Sequence, residues 1–271
     1  MKSMKFILQL ILLLVANYAK AQIYGCSNLT IPTYPTFEIC GFYNTSETIP
    51  TPNNTPVSVL QMIGSDLISS SYKNDMKNAA LKYYDNRITF EAEATGRYNC
   101  HAYAWANTNV WINPPQQENY WIDYSYVEIN NSTGATKVSY GSVDHSAITT
   151  STTNYFSSKW SGGPQFKHHI DDSPYLPTDL HYFVSPSISG PGIIWLNVVS
   201  TFTLNNKPPG TLTWAVTGPF AISSVSGNSV TIDNTWTSVG NGTLTAKIDG
   251  KPVASTTVSQ CPNFFRSHSR L

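Results

Sequence analysis

From about Val184 onward the chain leaves room for strands and little else. Short alternating runs (Val198 to Leu204, Leu212 to Val216, Ser229 to Ile232 and Gly242 to Ile248) show no helical period. They are cut by Asn205-Asn206, Pro208-Pro209-Gly210, Ser226-Gly227-Asn228, Gly240-Asn241-Gly242 and Asp249-Gly250, so a turn recurs every ten residues or so. A strand half-buried on one face, reversed that often, can bury its apolar side only against a second sheet. Residues 184–262 therefore read as an all-β sandwich, with Trp214 on an early strand where such sandwiches bury a tryptophan. Residues 263–271 fit no element.

The first part of the chain reads differently. Residues 22–60 are rich in Pro, Thr and Asn without a sustained period, which predicts an extended segment. From Val57 to about Arg87 the pattern turns helical, with Met76, Ala79, Ala80, Leu81 and Tyr84 on one stripe. A second helix is expected over Cys100 to Asn107, with Asn99 as its N-cap. Strand-like runs follow the Pro114-Pro115 break: Ser125 to Asn130, Lys137 to Tyr140, Ser146 to Thr150 and Tyr155 to Trp160. A helix leading into a small antiparallel sheet predicts an α+β domain over residues 61–183.

Lys2 and Lys5, the apolar run from Phe6 to Val15 and the close Ala19-Lys20-Ala21 make residues 1–21 a secretory signal peptide. Nothing later is apolar over a long enough stretch to span a membrane. Sixteen basic residues balance sixteen acidic ones, and only 12% of residues are charged, so the clustered cations needed to hold nucleic acid are missing. The expected partner is neither a membrane interior nor nucleic acid. Export also bears on the four cysteines, Cys26, Cys40, Cys100 and Cys261. Cys26 and Cys40 flank a short loop that a disulfide closes easily. That leaves Cys100 free or bonded to Cys261.

A free Cys100 at a helix start would sit among unpaired N–H groups that favour a thiolate, and a histidine in reach would complete a nucleophile–base pair. His145, opening the run Ser146-Ala147-Ile148, is the expected partner. His101 points about a hundred degrees away from Cys100 on a helix and reads as a packing residue. His168, His169, Asp171, Asp172 and His181 are a dense set of metal-ligand types, but no His-x3-His or Cys-x2-Cys spacing supports a zinc site. No metal and no cofactor are expected.

The stretches Tyr98 to Trp105, Asp144 to Ile148, Ser158-Lys159-Trp160, and His168 with Pro174-Tyr175 resemble a group of secreted bacterial proteins with a Tyr-Asn-Cys-His-x-Tyr-Ala-Trp motif. More broadly they resemble the NlpC-like and CHAP-like branch of the papain-like cysteine hydrolases. Residues 184–262 resemble bacterial Ig-like modules. These resemblances imply a papain-like α+β domain followed by an Ig-like sandwich, and amide hydrolysis with Cys100 as nucleophile, His145 as base and His168 orienting His145, His169 being the rival third residue. A peptide or peptidoglycan-type amide is the implied substrate, with surface association through the Ig-like module. The alternative is a non-catalytic secreted surface or adhesion protein that uses the same domain for binding.

Overall fold

A computed structural model of the chain describes residues 22–141, 144–195, 198–233 and 240–261. The signal peptide reading, the tail 263–271 and the side chain of Cys261 lie outside what is described. In chain order the elements are β1 (Gln22–Leu29), β2 (Phe37–Pro50), β3 (Pro56–Met62), α1 (Ser70–Tyr83), β4 (Thr89–Ala92) and α2 (Cys100–Trp105). A 3-10 turn (Gln116–Glu118) and α3 (Asn119–Ile122) precede β5 (Val127–Ile129), β6 (Lys137–Tyr140), β7 (Ser146–Thr149), β8 (Tyr155–Lys159), β9 (Gln165–His169) and β10 (Leu180–Val184). Then come β11 (Ser187–Ser189), β12 (Ile193–Trp195), β13 (Ser200–Asn205), β14 (Leu212–Val216), β15 (Ala221–Ser226), β16 (Ser229–Asp233), β17 (Asn241–Ile248) and β18 (Lys251–Cys261). The described residues form two compact units, 22–119 with 129–183, and 120–128 with 184–261.

The first unit contains a three-stranded antiparallel sheet, β1-β2-β3, and a second sheet in which its strands run in the order β4-β9-β8-β7-β6-β10. Its core joins Leu29, Ile31, Phe37 and Ile39 from the hairpin to Met76, Ala79 and Ala80 of α1 and to Trp160 and Phe166. The three α1 residues stand at i, i+3 and i+4, so one stripe is buried. Ser69 caps that helix by accepting from the Tyr72 N–H. The bridge Cys26–Cys40 joins residues directly opposite one another in the β1–β2 ladder.

Residues 22–60, expected as an extended segment, form the β1–β2 hairpin and part of β3. Two expectations need correction. Val57 to Met62 is strand, not helix: Val57, Val59 and Met62 are buried while Ser58 and Gln61 are outside, and the helix begins only at Ser70. Most important, the papain-like α+β assignment is overturned. Strands hold 46% of the described residues against 12% in helices, so four sheets with a few short helices supply the framework. The helix at Cys100 is only six residues long and ends at Ala106, whose φ of −125° and ψ of −97° leave the helical region.

The second unit has two four-stranded sheets, β11-β13-β16-β15 and β12-β18-β17-β14, with β12 parallel to β18. Ile194, Phe202, Phe220, Val230, Ile232, Leu244 and Val258 from both sheets share one core, and Trp214 packs half-buried against it. This is the inner face that the alternating runs implied.

Candidate functional site

Asn99 organises the site. Buried to 4% exposure, its Oδ1 accepts from the N–H of Ala102 (3.1 Å) and of Ile112 (3.2 Å), while its Nδ2 donates to the Ile112 carbonyl (2.7 Å). One side chain therefore caps α2 and fastens the segment that carries Trp111. Asn99→Ala loses the cap and leaves buried groups at Ile112 unpaired, so a destabilisation of about 3 kcal/mol is expected in urea unfolding. Asn99→Ser keeps a capping acceptor for the Ala102 N–H and should lose less than Asn99→Ala; equal loss in the two variants would contradict the capping assignment.

Cys100 opens α2, which packs on β7 and β8. The thiol is free and 4% exposed. Burial pushes its pKa up to about 12, and the backbone N–H groups of Ser146, His101 and Cys100 itself, which act the other way, do not offset this. His145 stands just before β7, completely buried. Its ring lies flat on Tyr175, 3.6 Å between centroids and 8° between planes, and meets Tyr140 edge-on at 4.8 Å. Neither ring nitrogen has a hydrogen-bond partner, so His145 is not bonded to the Cys100 sulfur. Burial, then the neighbouring His168 and His101, hold its pKa well below the usual histidine value.

His168, on β9, is also fully buried. Its Nδ1 donates to the His169 carbonyl at 2.8 Å, which fixes the tautomer and leaves Nε2 to accept from the Ser158 hydroxyl, also at 2.8 Å. Ser158 in turn accepts from the Trp160 indole N–H at 3.1 Å. Both nitrogens of His168 are thus occupied, and the ring does not hydrogen-bond to His145. Burial takes its pKa down to about 4. His101 is a packed residue whose Nδ1 lies 2.9 Å from the Ser146 hydroxyl, with burial again lowering its pKa to about 4. Ser146 also accepts from the Trp105 indole at 2.9 Å.

The residues weighed as a metal cluster do not converge on one point. Asp172 pairs with Arg87 at 2.9 Å, His169 lies 3.5 Å from Asp171, and His181 lies 3.5 Å from Asp179. Among the described residues the one close grouping of ligand types is Cys26, Glu38 and Cys40, whose sulfurs are consumed by the disulfide.

Cys100 forms part of the wall of an open cleft of about 240 Å³. Trp111 and Tyr175 supply aromatic walls, and Asn28, Asn99, Asn113, Asp144 and Ser161 supply polar groups. The Trp111 indole is oriented by donating to Asn113 Oδ1 at 3.0 Å. Sequence reasoning placed Tyr175 only as part of a matched stretch and gave Trp111 and Asn28 no role. They come from separate strands and loops, and nothing in their local pattern marks a shared wall.

No family profile matches the sequence, and no curated protein matches it, so the resemblance to papain-like hydrolases and Ig-like modules finds no support there. Among solved structures, part of the chain is similar to SGBP-B of the Bacteroides ovatus mixed-linkage glucan utilization locus in complex with a mixed-linkage heptasaccharide. Identity is 18% over 51% of this chain and 40% of that one, with a TM-score of 0.21, so the chain spans well under half the length of that protein and the likeness bears on no role here.

Proposed function

We propose that this protein is a non-catalytic extracellular binding protein whose first unit takes a neutral saccharide in the cleft between Trp111 and Tyr175. The absence of any hydrogen bond from His145 carries the reading. A cysteine nucleophile needs a base that removes its proton and a setting that stabilises the thiolate. Here the thiol is held protonated by burial, and the histidine is stacked, neutral and unpartnered. What remains useful at this position is shape and polarity. Aromatic faces accept the apolar side of a sugar ring, while amide, hydroxyl and carboxylate groups meet its hydroxyls. The exposed-strand disulfide Cys26–Cys40 supports an oxidising compartment. No helix among the described residues is long and apolar enough to cross a membrane.

Iodoacetamide at pH 8 should leave Cys100 unlabelled in the folded protein and label it fully in urea. Cys100→Ala should keep its fold and any saccharide affinity, whereas Trp111→Ala should lose the affinity. Fast alkylation of the native thiol, together with an amide-hydrolysing activity that Cys100→Ala abolishes, would sink the binding reading.

A further inference from the structure

The β1–β2 ladder sets Tyr24 opposite Phe42, Cys26 opposite Cys40 and Asn28 opposite Glu38. Alternate residues of a strand share a face, so these six side chains stand on one surface. The other face does the packing: Leu29, Ile39 and Tyr43 are buried there. Tyr24 and Phe42 are 60% and 51% exposed, their rings 5.1 Å apart and tilted by 55°. The core does not require them, and a pair of large rings kept in water marks a contact surface.

Beside the pair runs a groove of about 380 Å³, bounded by Tyr24 and Glu38 on the ladder and by Leu67, Tyr72 and Asp75 across from it. The Glu38 N–H donates to the Tyr72 hydroxyl at 3.0 Å, which pins that ring against the ladder. Glu38 and Asp75 are exposed carboxylates, acceptors suited to hydroxyl groups. At the opposite end, Asn28 lines the cleft that holds Cys100 and Trp111, and its register partner is Glu38 of the groove. The two depressions therefore meet at the Asn28–Glu38 pair. From Tyr24 to Asn28 the strand covers about 13 Å at roughly 3.3 Å per residue, more than one sugar ring spans.

We propose that the outward face of β1–β2, from Asn28–Glu38 to Tyr24–Phe42, is a subsite that carries the further rings of an extended neutral oligosaccharide whose end lies in the cleft. The proposal rests on the saccharide reading of that cleft. Continuity with the cleft and the combination of aromatic rings with hydroxyl acceptors single out this ligand class.

The test is calorimetric titration of the full chain with di- and hexasaccharides of cellulose, xylan and amylose. For the sugar that binds, the hexasaccharide should bind about tenfold tighter than the disaccharide. The double variant Tyr24→Ala/Phe42→Ala should erase that gain and leave disaccharide affinity intact, whereas Trp111→Ala should weaken both. Both ladder residues are exposed, and an unchanged circular-dichroism melt confirms that the double variant folds. A length-dependent gain that survives in the double variant overturns the subsite and leaves the cleft reading standing. Wild-type protein that binds none of these sugars at either length overturns both.

Discussion

Acidification from pH 7 to pH 4.5 should strip the first unit of most of its stability while the second unit stays folded. His101 and His168 are buried and neutral, with pKa values lowered from 6.5 to about 4, and His145 is shifted in the same direction. Unfolding restores the ordinary value. Between pH 6.5 and about 4 the unfolded chain therefore binds protons that the folded chain refuses. Stability is full above pH 6.5, falls as pH drops through this window and stops falling below the folded values. Each proton contributes about 1.4 kcal/mol per pH unit, so His101 and His168 together remove on the order of 5 kcal/mol by pH 4.5, and His145 adds to the loss. Domain stabilities are about 5–15 kcal/mol, so this effect can decide whether the unit is folded. All three rings lie in the first unit. Hydrogen exchange at pH 7, 5.5 and 4.5, corrected for the intrinsic rate, should show β6 to β9 losing protection while β16 and β17 keep theirs. Urea midpoints that do not move between pH 7 and 4.5 would refute the neutral-histidine account.

The same burial explains which parts of this chain could be read in advance. The strands of the second unit were legible because apolar residues alternate between turn dipeptides, as in Leu244, Ala246 and Ile248, all buried on one face. The cap at Asn99 and the bridge Cys26–Cys40 were legible because each is a local matter of residue type and short spacing. The β1–β2 hairpin was not. Its outer face carries Tyr24 and Phe42 beside Asn28 and Glu38, so large apolar residues fall on both faces and the alternation is blurred. Val57 to Met62 was absorbed into the helix behind it because a short apolar run has no period of its own. At the site, Cys100, His145 and His168 lie in one unit, but burial is invisible to spacing. Sequence order suggested a proton relay; the tautomer of His168 and the stacked, unpartnered ring of His145 are tertiary facts, set by Ser158, His169 and Tyr175.

Lys159→Met should destabilise the first unit at pH 9 by about 3 kcal/mol and reduce a rise in stability that the wild type shows above pH 7. Lys159 has no exposed surface. Its Nζ donates to the carbonyls of Glu93 and Gly162, each at 3.3 Å, and to that of Gly163, and it sits 4.8 Å from the centre of the Tyr98 ring. These contacts hold the turn that follows β8, closed by the Gly163 N–H on the Trp160 carbonyl at 2.7 Å. The turn places Ser161, at φ +56°, in the wall of the cleft. Methionine keeps the volume but leaves the carbonyls without a donor, and each buried orphan costs about 1–3 kcal/mol. The pH term has its own sign. Burial lowers the lysine pKa from 10.5 to about 7, with Asp66 and Glu93 pulling it back and Lys73 pushing it further down. Between pH 7 and 10.5 the unfolded chain holds a proton that the folded chain has released, so stability climbs with pH by up to about 1.4 kcal/mol per unit. Methionine cannot titrate, so its profile should lack the contribution of Lys159 and climb less steeply than the wild type between pH 7 and 8, below the range in which an unfolded Cys100 thiol titrates. A variant that matches the wild type in both stability and slope would show that the lysine amine is solvated and that the turn stands without it.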